Sequence, residues 1–312
     1  CYNPDNKSVI ERHIKDFTLS SSLVSTADVG AIIAEAAEAA PANSYAMVFA
    51  GHGTGWIPRV LAESSVSTLA LGYDAWIPAE GAEVTRNFGE SNVKLDISEI
   101  AESIEYSGIE LDYILFDACF MSNIEAVYDL RNSAKYIIAS PCEIMGKGFP
   151  YHRTLPHLFG ESYNLKCAAE SYYLFYRYEY NSSARCGSVA LYDCAEVEAL
   201  AEATKLVMQS ANLDIDTSTL QTYEGQAVHH FYDFGEWVRS VATDSEALKA
   251  FDEQLNRTVI AKYTLPTFYS AYGSYGTYDI NEEVYSGVTT SAPSKAYPVE
   301  WRESNWYKAT MP

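Results

Sequence analysis

The feature that most constrains the fold is a series of four short apolar runs separated by stretches of helical character. These runs are residues 45–50 (YAMVFA), 111–116 (LDYILF), 135–140 (KYIIAS) and 187–192 (GSVALY). Continuous apolar runs of this length are typical of buried strands. Strands that alternate with helices predict an α/β fold with a mostly parallel central sheet sandwiched by helices.

The remaining segments complete this organisation. Helical patterns cover residues 26–40, 97–106, 124–130, 165–179 and 194–211, and two more helices are expected between 225 and 261. Residues 57–95 have no sustained period and predict a long excursion, whereas residues 299–310 look strand-like. We therefore expect a single domain over residues 1–312, with a helical and strand extension from about residue 194.

Two of the predicted strands end in residues with catalytic chemistry. The first runs into His52 and Gly53, and the second runs into Asp117, Ala118 and Cys119. In open α/β sheets, sites form beyond the carboxyl ends of the strands. We therefore expect the histidine and the cysteine to lie close together at one edge of the sheet.

This pair has the chemistry of a cysteine peptidase. A Cys119 thiolate would attack an amide carbonyl, and His52 would protonate the leaving amine. The backbone N–H groups of Gly53 and Cys119 are candidates for the oxyanion hole. Taken singly, a cysteine after an apolar strand is more often a core residue, and a His-Gly pair is more often a turn. Their combination at adjacent strand ends favours catalysis.

The charge balance limits the choice of partner. The chain has 21 Lys and Arg residues against 42 Asp and Glu residues, for a formal net charge of -21 at pH 7. Nucleic acid and anionic membrane surfaces bind basic surfaces, so the composition argues against both as partners. A cationic substrate would suit this charge, although acidity also keeps an exported protein soluble.

Neither a metal site nor a membrane span is predicted. The six cysteines and six histidines lack metal-ligand spacing, so the sequence calls for no metal and no required cofactor. No apolar stretch approaches the roughly 18 residues of a transmembrane helix, and no signal peptide opens the chain. We expect a bacterial protein that is secreted, periplasmic or on the cell surface, after removal of an upstream signal.

Longer motifs in the chain resemble the clostripain family of caspase-like cysteine peptidases (peptidase family C11, clan CD). They are HGTGW at 52–56, DAC at 117–119, KYIIASPCEIMGKGFPY at 135–151, SGVTT at 286–290 and WYKA at 306–309. The similarity extends over nearly the whole chain. It implies a caspase-like sheet sandwiched by helices, a dyad of Cys119 and His52, and cleavage of proteins or peptides after lysine or arginine.

The resemblance also assigns the substrate pocket. Asp117 matches the acidic residue at the base of the S1 pocket, which receives the residue before the scissile bond. Its position two residues before Cys119 puts both side chains on the same side of a strand. Ser140 and Glu143, after the next predicted strand, are candidates for the rim of this pocket, and a plain loop is the equal alternative.

The chain also departs from the family pattern. Family members open with one or two strands before the first helix, and here only residues 1–17 stand in that place. The missing strand was either cut from the chain or remains bound as a separate N-terminal light chain. Arg59, Arg86 and Lys94 lie where related peptidases cut themselves. Calcium is possible by family resemblance only, because no EF-hand-like spacing is present.

Two alternatives remain open at this stage. The first is a caspase-like peptidase with asparagine or aspartate specificity, which the acidic Asp117 disfavours. The second is a non-catalytic module of the same fold that binds a peptide or protein. The intact His52, Gly53 and Cys119 disfavour this second reading.

Overall fold

The computed structural model provides the architecture of most of the chain. It describes residues 2–3, 8–9, 13–17, 25–58, 95–160, 162–225, 229–271, 276–292 and 294–312. The excursion expected at residues 57–95 therefore lies almost entirely outside the described residues.

A five-stranded sheet forms the centre of the fold. Its strands, in chain order, are β1 (Tyr45–Gly51), β2 (Leu111–Ala118), β3 (Ala134–Ala139), β4 (Val189–Asp193) and β5 (Val259–Tyr263). They lie side by side in the same order, β1-β2-β3-β4-β5. The four apolar runs seen in the sequence account for the first four strands, which confirms those predictions.

The sheet is mixed because one strand is reversed. Strands β1, β2 and β3 are parallel, and β4 is antiparallel to both of its neighbours, so every strand except β4 runs in one direction. A mostly parallel sheet was predicted, and the structure adds that β4 is the reversed strand.

The helices between β3 and β4 explain this reversal. There are two of them, α4 (Tyr151–Leu158) and α5 (Leu165–Tyr178). Tyr113, near the start of β2, donates a hydrogen bond to the carbonyl of Leu158 at the end of α4. Tyr176, near the end of α5, donates one to Gly148, just after β3. The chain therefore crosses the sheet once in α4 and once more, in the opposite direction, in α5. It returns to the edge at which β3 ends, so β4 starts at that edge and is antiparallel to β3.

Helices flank the sheet. Besides α4 and α5, they are α1 (Thr26–Ala39), α2 (Ile97–Ser107), α3 (Ile124–Asp129), α6 (Val197–Met208), α7 (Phe234–Val241), α8 (Ser245–Thr258), α9 (Pro298–Glu303) and α10 (Asn305–Thr310). Helix α1 packs on α2, α4 packs on α5, and α6 packs on both α8 and α10. The two helices expected between 225 and 261 are α7 and α8.

The C-terminal segment is helical where the sequence pattern suggests a strand. Ser304 ends α9 and caps α10, since its hydroxyl accepts a hydrogen bond from Tyr307 N–H at 3.1 Å. Trp306 and Thr310, one helical turn apart, are both buried. The buried residues of this segment lie on one face of a helix, and the prediction of a strand was wrong.

Short two-stranded ladders lie outside the central sheet. They pair Tyr2–Asn3 with Ser8–Val9, Thr267–Ser270 with Gly276–Asp279, and Tyr232–Asp233 with Thr289–Thr290. Within the described residues before α1, no strand joins the central sheet, and β1 stands at the end of the strand order. The residues after 194, where a helical and strand extension was predicted, contribute β5 to the central sheet.

Candidate active site

The register of β1 and β2 brings the two catalytic candidates to one edge of the sheet. The strands are parallel, and their last paired residues are Gly51 and Ala118. His52 and Cys119 each follow directly on that pair. The expectation that these two strands are neighbours is confirmed, and it rests on backbone pairing rather than on side-chain placement.

Cys119 is completely buried beneath the loop that follows β3. It has no exposed surface, and its Sγ accepts a hydrogen bond from Ile144 N–H at 3.2 Å. The carbonyl of Cys142, in the same loop, accepts a second hydrogen bond from Phe120 N–H at 3.0 Å. In this structure the thiol has no contact with solvent, and the 140–149 loop packs against it.

The residue after the cysteine has an unusual backbone conformation. Phe120 has φ of 59°, and it is the one non-glycine residue with positive φ among those described. A left-handed conformation of this kind costs on the order of 1–3 kcal/mol. The ring of Phe120 stacks on that of Phe231, with centroids 5.1 Å apart and an angle of 19° between the planes. This stacking and the Phe120 N–H bond hold the strained turn in place.

Glycine is required at position 53 by close backbone contact. A Cβ placed on Gly53 would lie 2.2 Å from the carbonyl oxygen of Cys119 and 2.8 Å from the sulfur of Met121. No side chain fits at that distance. The His52 loop and the Cys119 loop therefore pack against each other through their backbones.

The end of the His52 loop is held by a hydrogen bond between Trp56 and Ser291, which are far apart in sequence. Trp56 is almost buried, and its Nε1–H donates to Ser291 Oγ at 2.7 Å. Ser291 in turn donates its backbone N–H to Glu125 Oε1 at 3.1 Å. The sequence analysis did not predict these contacts. Trp56 is the last residue of the HGTGW motif, and Ser291 directly follows the SGVTT motif.

Asp117 is buried on the same side of β2 as Cys119. Its Oδ1 accepts a hydrogen bond from Phe149 N–H at 3.2 Å, and its Oδ2 accepts one from the Tyr151 hydroxyl at 2.8 Å. Both acidic and thiol side chains thus meet the segment that follows β3. Tyr151 was not singled out from the sequence.

Ser140 and Glu143 belong to the same loop and are also fully buried. Ser140 Oγ accepts the backbone N–H of Cys142 at 3.1 Å, which closes a local turn. Glu143 accepts hydrogen bonds from the Ser270 hydroxyl and, at 3.2 Å, from Ala271 N–H. Both side chains therefore help to shape the loop over Cys119.

The other candidates lie outside this cluster. Arg59, Arg86 and Lys94 fall outside the described residues. Among the residues that the structure describes, no group of three or more His, Cys, Asp or Glu side chains is arranged to hold a metal ion. None of the helices in the described part of the chain has the length and apolarity that a membrane crossing requires.

Comparison with known proteins identifies the family. A sequence model described as the clostripain family matches residues 5–292. The chain belongs to the clostripain family. No curated protein sequence matches the chain.

Solved structures of clostripain family members share this fold. A secreted C11 cysteine protease of Bacteroides thetaiotaomicron, iotapain, is 31% identical with a TM-score of 0.77, over 92% of this chain and 77% of its own. An inactive zymogen C11 protease of Parabacteroides distasonis is 30% identical with a TM-score of 0.72, over 92% and 76%. A clostripain of Bacteroides thetaiotaomicron in complex with the peptide inhibitor BTN-VLTK-AOMK is 33% identical with a TM-score of 0.65, over 72% and 97%.

These likenesses confirm the caspase-like α/β fold, with helices around a central sheet. They also make the chain a homologue of cysteine proteases that act on proteins or peptides.

Proposed function

We propose that this protein is a cysteine endopeptidase that cleaves after lysine or arginine, with Cys119 as the nucleophile and His52 as the general acid/base. The observation that carries the proposal is the parallel register of β1 and β2. Its last pair, Gly51 and Ala118, is followed by His52 on one strand and Cys119 on the other. Membership of the clostripain family supports the same reaction class.

The proposed chemistry follows the usual covalent route. The Cys119 thiolate attacks the carbonyl carbon, and the backbone N–H groups of Gly53 and Cys119 donate to the developing oxyanion. His52 gives a proton to the leaving amine, which breaks the C–N bond and leaves a thioester. Water then attacks the thioester, and the thiol and the carboxylic acid product are released.

The buried carboxylate of Asp117 supports basic specificity. Its oxygens accept hydrogen bonds from Phe149 N–H and from the Tyr151 hydroxyl, which hold the carboxylate at the end of β2 beside Cys119. A buried carboxylate is a strong acceptor for a cationic donor. The inhibitor bound to the clostripain of Bacteroides thetaiotaomicron has lysine next to its terminal AOMK group. We assign Asp117 to the base of S1, with Ser140 and Glu143 shaping the loop beside it.

A panel of fluorogenic peptides that differ only at P1 tests the specificity. We expect turnover with lysine and arginine, and background rates with asparagine and aspartate, because an acidic pocket repels a carboxylate. Turnover of the asparagine or aspartate peptide instead would establish the caspase-like alternative. No turnover of any peptide, together with stoichiometric peptide binding, would establish a non-catalytic module.

Self-processing is part of the proposal because the described site is closed. Cys119 has no exposed surface, and one of the solved relatives is an inactive zymogen. We propose cleavage after Arg59, Arg86 or Lys94 as the activating step. Mass spectrometry of wild-type and Cys119→Ala protein, expressed alike, should find fragments ending at these residues only in the wild type. Identical fragments in both would assign the cleavage to another protease.

Three further features of the proposal concern surroundings rather than chemistry. A separate N-terminal light chain would pair with β1, which stands at the end of the strand order of the central sheet within the described residues. Export from a bacterial cell is proposed because relatives are described as secreted. The reaction as proposed requires no cofactor, and calcium dependence stays a prediction from family resemblance.

A further inference from the structure

Glu224 is a buried carboxylate that the proposed chemistry does not use. Only 1% of its surface is exposed. Its Oε1 accepts hydrogen bonds from the backbone N–H groups of His230 and, at 3.0 Å, Phe231, and its Oε2 accepts the N–H of Tyr223 at 3.1 Å. Buried charge is retained in proteins when it is fully hydrogen-bonded. One side chain thus fixes the backbone of the 229–231 segment.

This segment touches the loops of both catalytic candidates. The Phe231 ring stacks on Phe120, directly after Cys119, at 5.1 Å between centroids. The same ring borders the His52 loop, since a Cβ placed on Gly55 would lie 3.0 Å from Phe231 Cε1. Any shift of Phe231 therefore acts on both loops together.

A second connection links the segment to the His52 loop. The carbonyl of His230 accepts a hydrogen bond from Ser291 Oγ at 2.7 Å. Ser291 Oγ also accepts the indole N–H of Trp56 at 2.7 Å. Ser291 thus joins the segment that Glu224 holds to the anchor of the HGTGW motif.

We propose that Glu224 is a positioning residue of the active site, whose carboxylate holds residues 229–231 and thereby sets the Cys119 loop against the His52 loop. The proposal rests on the proposed peptidase function only in its turnover measurements. Glu224 acts through Phe231 and Ser291 and touches no substrate.

The charge state of Glu224 separates positioning from simple stabilisation. Burial raises the pKa of Glu224 to about 7, against the lowering effect of its N–H donors. Below that pH a proton must occupy an oxygen that already accepts an N–H bond, so the grip on the segment weakens. Because the pKa is raised in the folded state, its stabilising contribution is present below the ordinary value of about 4.3 and is lost as pH rises to about 7. Stability and positioning therefore change in opposite directions with pH.

Two histidines, two tyrosines and a cysteine are the neighbouring titratable groups. Burial lowers the pKa of His229, whose Nδ1 lies 3.9 Å from Glu224 Oε1, and it lowers the pKa of His230 to about 4. Burial raises the pKa of Tyr232, Tyr278 and Cys142, so these three stay neutral. The Glu224→Gln variant keeps all of these neighbours, so its difference from wild type isolates the charge of Glu224, whose pKa is about 7.

The first test compares Glu224→Gln with wild type, with Glu253→Gln on the exposed face of α8 as the control. The amide keeps the shape but presents an NH₂ group to N–H donors. We expect kcat/KM to fall by about tenfold to a hundredfold, mainly in kcat, from the loss of charge-assisted hydrogen bonds. As pH rises through 7, kcat/KM should increase less in Glu224→Gln than in the wild type. Between pH 5 and 8, the melting temperature of Glu224→Gln should fall less than that of the wild type.

The second test begins with a measurement that is independent of peptidase activity, and Ser291→Ala covers the case in which Glu224→Gln fails to fold. Hydrogen–deuterium exchange should be faster in peptides spanning 119–123 and 52–57 in Glu224→Gln and in Ser291→Ala, but unchanged in Glu253→Gln. In turnover, Glu224→Gln and Phe231→Leu should combine to less than the product of their single effects, because they act through one contact. Unchanged exchange at 119–123 in a folded variant, or fully multiplicative effects, would overturn the positioning role. Absence of wild-type turnover would instead refute the proposed function.

Discussion

Replacing Cys119 with alanine should abolish peptide cleavage, because the covalent route needs the thiol itself. The variant should stay folded, since the change removes a single sulfur atom, which hydrogen-bonds to the backbone of Ile144. Turnover measured with the lysine and arginine peptides should fall to the background rate. Circular dichroism and the melting temperature should remain close to those of the wild type.

Two other variants make this result specific. Cys119→Ser keeps an acceptor for the Ile144 N–H and should be just as inactive, so loss of the loop contact is excluded as the cause. Cys167→Ala, a half-buried thiol on α5, should be fully active. Retained turnover in Cys119→Ala, together with loss in Cys167→Ala, would contradict the assignment.

Asp117→Asn should remove most cleavage after lysine and arginine. Losing one partner of a buried, hydrogen-bonded charge pair costs about 2–5 kcal/mol, which is roughly thirty-fold to several thousand-fold in kcat/KM. The amide keeps an oxygen for Phe149 N–H and offers its NH₂ group to the Tyr151 hydroxyl. The fold should therefore survive the change.

The control for this experiment lies on the same strand. Asp112 lies at the opposite end of β2 and forms an ion pair with Lys135, whose Nζ is 2.6 Å from its Oδ1. Asp112→Asn removes this ion pair and should leave kcat/KM unchanged. Alkylation of Cys119 by iodoacetamide should be much less affected by Asp117→Asn than cleavage. A parallel loss of cleavage, alkylation rate and melting temperature would make Asp117 a structural residue. An unchanged preference for arginine at P1 in the folded variant would exclude the S1 role.

The strand ends could be predicted because they depend only on residues that are adjacent in sequence. Each apolar run and the residue that follows it are adjacent in sequence, and the carboxyl ends of parallel neighbours must meet. The direction of β4 could not be read from its own residues. It depends on two helices, α4 and α5, that carry the chain back to the starting edge.

The supports of the site were hidden for a related reason. Phe231 and Ser291 are distant in sequence from Phe120 and Trp56, which they contact. Glu224 contacts nearby residues, but it looks like an ordinary loop residue in isolation. The strained turn at Phe120 likewise depends on its long-range stacking with Phe231. Local patterns therefore located the candidate chemistry but not the contacts that hold it in position.

The most direct test of the central claim is covalent labelling with a peptide that ends in lysine and a thiol-reactive ketone. Matched peptides ending in asparagine and aspartate serve as controls, and peptide mapping by mass spectrometry locates the adduct. In protein that has completed self-processing, the account predicts one adduct per molecule, on Cys119, with the lysine peptide and none with the controls. Labelling of another cysteine, or equal labelling by all three peptides, would contradict it.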